Sequence, residues 1–267
     1  MKARWRIAVA GVILASVAGF VPLAAALDLP PTDQPHPRTN PKTGQPDGGW
    51  MKRHEALVAL AKKGNIDLYF EGDSITDYWT GIHPKGVHPG LAIWNKEFSG
   101  WNPGNFGIGG DRTEHVLWRL DNGELDGVSP KAIVLMIGTN NSGDYTGQQI
   151  ADGVTAIVKK FRDKEPQAKI LLLAIFPRGD VPKDNPPDKK RKANDAANAI
   201  LAKLDDGQHV KFLDLAPKFP DPTTPEFKTV FPDLLHPNAV GYQIWADAIK
   251  PTLTTWLGAP AATAPSN

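Results

Sequence analysis

The segment Ile66-Asp67-Leu68-Tyr69-Phe70-Glu71-Gly72-Asp73-Ser74-Ile75-Thr76 opens with a short run of strand formers, Ile66, Leu68, Tyr69 and Phe70, and breaks at Gly72. Ser74 stands where a strand hands over to a helix, at the carboxyl edge where open α/β sheets place their ligands. Gly72 permits a tight turn, and Asp73 can hold it by accepting hydrogen bonds from nearby amides. A serine so placed can be aimed outward while its own amide points into the same pocket. The segment reads equally as a capped helix start, because Asp and Ser are both favoured N-caps. Partners elsewhere in the chain have to distinguish a nucleophile from a cap.

Working outward, four more apolar runs read as strands: one near Asn105-Phe106-Gly107, then Lys131 to Ile137, Lys169 to Phe176 and His209 to Leu213. Between them, 3.6-residue periodicity predicts helices over Met51 to Lys63, Leu91 to Phe98, Glu114 to Leu120, Thr146 to Lys164, Lys189 to Leu204 and Asn238 to Leu257. Nearly continuous apolar strands alternating with helices mean a parallel sheet covered on both faces. Right-handed crossovers then bring every strand's carboxyl end to one edge. Ser74, the Gly109-Gly110 turn, Asn140 and the loop reaching Asp233 and His236 share that edge.

With 267 residues and a net charge of +1, the chain can bury one large core and shows no bias toward a polyanion such as nucleic acid. Its one dense basic run, Lys189-Lys190-Arg191-Lys192, reads as a solvated helix face. There is no cysteine, which removes disulfides, thiol chemistry and cysteine–zinc sites. Lys2, Arg4 and Arg6 precede an apolar stretch from Ile7 to Phe20, with Pro22 and Ala24-Ala25-Ala26 behind it, as in an export signal cleaved before Leu27. An uncleaved anchor is the alternative, since Ile7 to Ala26 is just long enough to span a bilayer. The expected organisation is a signal over 1–26, a Pro-rich extended lead-in over 27–49, one domain over 50–257 and a disordered tail over 258–267. The mature protein is expected to be secreted or periplasmic and free of the membrane.

A serine hydroxyl needs a general base near neutral pH, and Asp233-Leu234-Leu235-His236-Pro237 offers one. An imidazole suits the task, and a carboxylate three residues away can fix its tautomer. A tetrahedral intermediate also needs donors where its negative charge develops; the Ser74 amide, the Gly110 amide and the Asn140 side chain are candidates. Each also has a plainer reading: surface loop, turn glycine or helix cap. Gly107-Ile108-Gly109-Gly110-Asp111-Arg112 is not a dinucleotide fingerprint, because Arg112 occupies the third glycine's place. His83 and His88 could bind a metal, but no carboxylate or cysteine accompanies them at a ligand spacing. Neither G-x-S-x-G nor a Walker motif occurs.

Taken in order, Gly72-Asp73-Ser74, Gly107-Ile108-Gly109-Gly110-Asp111, Gly138-Thr139-Asn140 and Asp233-x-x-His236 resemble the four blocks of the SGNH (GDSL-type) hydrolase superfamily. Asn105 to Asp111 and His115 to Leu120 are similar in wording to the α-subunit esterases of platelet-activating-factor acetylhydrolase. The resemblance runs from about Ile66 to Trp256. It implies a flavodoxin-like, three-layer α/β/α sandwich with a five-stranded parallel sheet, and carboxylic-ester hydrolysis without a cofactor or metal. Carried over by position, Ser74 is the nucleophile, His236 the base and Asp233 its orienter, while Ser74, Gly110 and Asn140 form the oxyanion hole. Ile75 departs from the family's Gly-Asp-Ser-Leu tag, a buried aliphatic exchange that should be tolerated.

The substrate is less legible. Trp79, Trp94, Trp101 and Trp118 crowd the first two blocks, either as faces for sugar stacking or as core. Asp73, Trp79 and Arg178 are the substrate-side candidates, with Trp79 divided between pocket wall and core and Arg178 between substrate and solvent. The export signal argues against simply transferring an intracellular phospholipid substrate, and no long apolar lid suggests interfacial lipolysis. The expected partner is therefore a small-molecule or glycan ester, acetyl first, with oligomeric state left open. The alternatives are a platelet-activating-factor-type or lysophospholipid esterase, a non-catalytic carbohydrate-binding protein on the same scaffold, and a metal-dependent hydrolase using His83 and His88.

Overall fold

The computed structural model describes residues 29–81, 86 and 88–261. The expected signal over 1–26, His83 and residues 262–267 of the expected tail lie outside them. Strand β1 (Leu68–Gly72) is buried along its whole length. It pairs on one side with β2 (Pro103–Asn105) and on the other with β3 (Ala132–Met136), followed by β4 (Lys169–Leu173) and β5 (Val210–Leu213). The sheet order is β2-β1-β3-β4-β5 and every pairing is parallel, with Leu68 opposite both Pro103 and Ala132. That is the flavodoxin-like strand order, whose switch point lies between β1 and β3.

Side-chain parity divides the core into two layers. Tyr69, Ile133, Leu135, Ile170 and Leu172 face one cluster. It is closed by α1 (Gly48–Lys62), α4 (Thr113–Asp121), α5 (Gly147–Lys164) and α6 (Lys189–Leu201). Leu68, Phe70, Val134, Met136, Leu171 and Leu173 face the other, closed by α2 (Ser74–Asp77), α3 (Leu91–Glu97) and α7 (Ala239–Leu257). The expected three-layer α/β/α sandwich is the observed one. Element ends moved where caps decide them. Asp47 accepts from the Gly49 and Trp50 amides, so α1 starts ahead of Met51.

Three segments make contacts that the sequence left open. The Pro-rich lead-in is a docked strap: Tyr145 Oη donates to Pro30 O at 2.7 Å, Thr113 Oγ1 to Thr32 O at 2.9 Å and the His36 amide to Glu114 O at 3.0 Å. The basic run opening α6 is paired with the loop before it, with Lys190 Nζ 3.1 Å from Asp184 and Arg191 Nε 2.9 Å from Asp180. Just past α7, Trp101 Nε1 donates to Gly258 O at 3.0 Å and the Ala261 amide to Gly100 O at 3.0 Å.

Candidate active site

Ser74 begins α2 directly behind β1, and the turn between them admits only glycine at its head. A Cβ on Gly72 would lie 2.3 Å from both Met136 O and Thr76 Oγ1. Asp73 caps α2 by accepting the Ile75 amide at 2.9 Å. Asn105, at the end of β2, clamps the far end of α2 by donating to Thr76 O at 3.0 Å and Asp77 O at 3.1 Å. Tyr242 Oη, from α7, donates to Ile75 O at 2.6 Å. Four elements thus fix a serine whose hydroxyl is nearly buried.

Asp233 and His236 meet it across the strand ends. Ser74 Oγ lies 2.9 Å from His236 Nε2, and His236 Nδ1 lies 2.7 Å from Asp233 Oδ2. Asp233 Oδ1 accepts the Leu235 and His236 amides at 3.0 and 2.7 Å, so one carboxylate shapes the turn and holds the ring. Partial burial pushes the Asp233 carboxyl up, but hydrogen bonds from the His236 ring and amide prevail and hold it below the usual carboxylate range. An ionised Asp233 accepts from Nδ1–H, which leaves Nε2 as the acceptor for the Ser74 hydroxyl. The Gly179 amide donates to Leu234 O at 2.9 Å, tying this loop to the segment after β4.

The glycine block abuts the serine: a Cβ on Gly109 would lie 3.8 Å from Ser74 Cβ. Gly109 is held at both ends, its amide donating to Asp77 Oδ2 at 3.2 Å and its carbonyl accepting from Arg38 Nη1 at 2.9 Å. Asp77 is in turn paired with Arg53 at 3.0 Å; burial raises its pKa against that attraction. Gly110 has φ +80, a region costly for any other residue type. Asn140 Nδ2 donates to Asp111 O at 2.8 Å, joining the third block to the second with one of its two amide hydrogens. Ser74, Gly110, Asn140, Asp233 and His236 therefore gather at the carboxyl edge.

Beneath this edge lies a buried ionic cluster that sequence reasoning missed. Arg119 of α4, wholly buried, sits 2.6 Å from Glu71 and 2.8 Å from Asp111, pairs with Glu124, and donates to Phe106 O at 2.9 Å. Trp50 Nε1 donates to Asp111 Oδ1 at 2.7 Å, and His54 Nδ1 lies 2.9 Å from Glu124. Burial, with repulsion from Glu124 and Asp111, outweighs the attraction of Arg119 and raises Glu71 from 4.5 to about 8. The cluster fixes both the end of β1 and the glycine block, and so the approach of one to the other. Its signal in the sequence was Glu71 itself, a lone carboxylate in an otherwise apolar strand, which needs a buried cation.

The substrate-side candidates fare differently. Trp79 does not wall a pocket: it is 0% exposed and packs against Trp245 and Tyr242 at ring-centroid distances of 4.8 and 4.5 Å. Trp94 and Trp101 are buried as well, so the proposed sugar-stacking faces are core, and only Trp118 is partly exposed. Asp73 is also fully buried beneath the serine; its Oδ2 meets no donor among the described residues, and burial raises its pKa to about 7. Arg178 is buried as well, donating to Thr139 O at 3.3 Å and Thr139 Oγ1 at 3.2 Å. Burial lowers its pKa while Asp184, Asp73 and Asp233 act in the opposite sense.

Comparison with known proteins agrees with this architecture. The GDSL-like Lipase/Acylhydrolase family model matches residues 70–244. Human platelet-activating factor acetylhydrolase IB subunit alpha1 is 38% identical over 199 residues, 74% of this chain and 80% of the relative. The rat alpha2 subunit is 40% identical over 172 residues, 64% of this chain and 69% of the relative. A solved GDSL-like lipase from Bacteroides thetaiotaomicron superposes with a TM-score of 0.60 at 18% identity, covering 76% of this chain and 97% of that one. The chain belongs to the GDSL-like lipase/acylhydrolase family and is an SGNH-type hydrolase of the esterase/acylhydrolase class.

Proposed function

We propose that this protein is an exported serine esterase that removes short acyl groups, acetyl first, from carbohydrate or other small substrates through an acyl-enzyme. The observation carrying the reading is the line from Ser74 Oγ to His236 Nε2, 2.9 Å, and from His236 Nδ1 to Asp233 Oδ2, 2.7 Å. Ser74 Oγ attacks the ester carbonyl as its proton passes to Nε2. The carbonyl oxygen, now negative, is received by the amides of Ser74 and Gly110 and the Asn140 side-chain amide, donors worth roughly 3–4 kcal/mol of barrier each. Collapse expels the alcohol, protonated by His236, and water repeats the sequence to release the acid. The alcohol side rests on the apolar N-terminal stretch that reads as an export signal.

Similarity to the platelet-activating factor acetylhydrolase subunits favours a second reading, an acetyl ester of a lipid. Both readings share the acetyl group and part at the alcohol. Burial of Trp79, Trp94 and Trp101 weighs against a non-catalytic carbohydrate-binding protein. Hydrolysis of p-nitrophenyl acetate should exceed that of longer acyl chains and vanish in Ser74→Ala and His236→Ala. Wild-type turnover in both variants would overturn the reading. Release of acetate from acetylated xylan or from an acetylated ether phospholipid then distinguishes the two alcohols.

A further inference from the structure

Building on that reading, we infer that Arg38, delivered by the N-terminal strap, is a positioning residue for the oxyanion hole. Gly109 O and the Gly110 N–H belong to one peptide plane, whose carbonyl and amide point in opposite directions. With glycine on both sides, that plane can rotate at little steric cost, and a freely turning donor cannot be preorganised. The plane is pinned through its oxygen, which accepts from Arg38 Nη1 at 2.9 Å. This charge-assisted bond also polarises the peptide, making the Gly110 N–H a stronger donor. The guanidinium lies close against Gly110 itself, where an added Cβ would stand 3.0 Å from Nη1.

Arg38 is itself held. The Asp47 amide donates to Arg38 O at 2.8 Å, the Asn40 amide to Gln45 O at 2.8 Å, and Thr39 bridges Pro46, closing a small hairpin beneath the side chain. Asp47 at the hairpin's end caps α1, and Arg53 of α1 pairs with the same Asp77 that takes the Gly109 amide. Strap and helix thus grip Gly109 from its carbonyl and its amide together. The segment ahead of the catalytic domain is accordingly part of the catalytic apparatus.

The test is steady-state kinetics on p-nitrophenyl acetate with Arg38→Met, alongside affinity for a boronic acid that adds to Ser74 as a tetrahedral mimic. We expect kcat to fall about tenfold with KM within about twofold, and boronate affinity to fall by the same factor, less than the loss on deleting an oxyanion donor outright. Arg38→Gln, a neutral donor of shorter reach, should fall in the same direction and decides the matter if Arg38→Met is too unstable to assay. Unchanged kcat and boronate affinity in the folded variant would overturn the inference. So would a rise in KM alone, which would put the guanidinium on the substrate. Ser74→Ala separates the levels: if it is inactive while the Arg38 variants match wild type, only this inference fails.

Discussion

Replacing Arg119 with Met should be among the most damaging single changes in the molecule. The guanidinium is shared by Glu71, Asp111 and Glu124, all wholly buried, and it also caps Phe106 O. Methionine fills much of the space but leaves Asp111 and Glu124 without their common cation and Glu71 without its hydrogen-bond donor. Breaking a buried pair in this way costs about 3–5 kcal/mol, against a total stability of about 5–15 kcal/mol. For a domain of this size that is a fall of about 6–20 °C in Tm. The cost has a pH signature. Without the cation, nothing offsets the buried negative charge, so the folded state favours protonated acids and loses stability as pH rises through the carboxylate range. The deficit should therefore be small near pH about 4 and grow toward neutrality. Glu71→Gln is the internal control: its pKa already stands at about 8, so a neutral amide resembles the protonated acid it replaces. That variant should cost below about 1 kcal/mol at neutral pH. Urea unfolding followed by tryptophan fluorescence at about pH 5 and about pH 7.5 measures both. A deficit for Arg119→Met that is under about 1 kcal/mol, or equal at the two pH values, would refute the reasoning.

Two further outcomes test the site. Asp233→Asn can keep the turn through its remaining oxygen but presents an amide to His236 Nδ1, stabilising the wrong tautomer; kcat should fall about 10²–10⁴-fold with little change in Tm, and a loss under about tenfold would count against the orienting role. Asp73 is raised from 3.8 to about 7 by burial, so its folded state holds a proton that the unfolded chain releases, and stability drains away as pH rises through that window. Asp73→Asn should remove that slope in pH-dependent denaturation while keeping the Ile75 cap; parallel profiles for variant and wild type would argue against it.

The layered fold and the gathering at one edge were legible in the chain because both follow from local pattern. Apolar strands buried on two faces carry a near-continuous signature, and crossover handedness sends their carboxyl ends to one side. Ser74, Gly110, Asn140, Asp233 and His236 could be picked out because each follows a strand or opens a helix. What the chain did not reveal was which side chains turn inward. Trp79 and Arg178 follow strands as the others do, yet one is consumed by an aromatic core and the other lies along Thr139. Only packing among distant elements makes that choice. The same holds for Glu71 and Arg119, 48 positions apart, and for Arg38 and Gly109, 71 apart. A charge in a strand announces that it needs a partner but not where the partner lies. Sequence determined the scaffold and its candidate reactive groups, since periodicity and turn chemistry are local; tertiary structure decided what holds those groups in register, because close contact between remote side chains has no local signature.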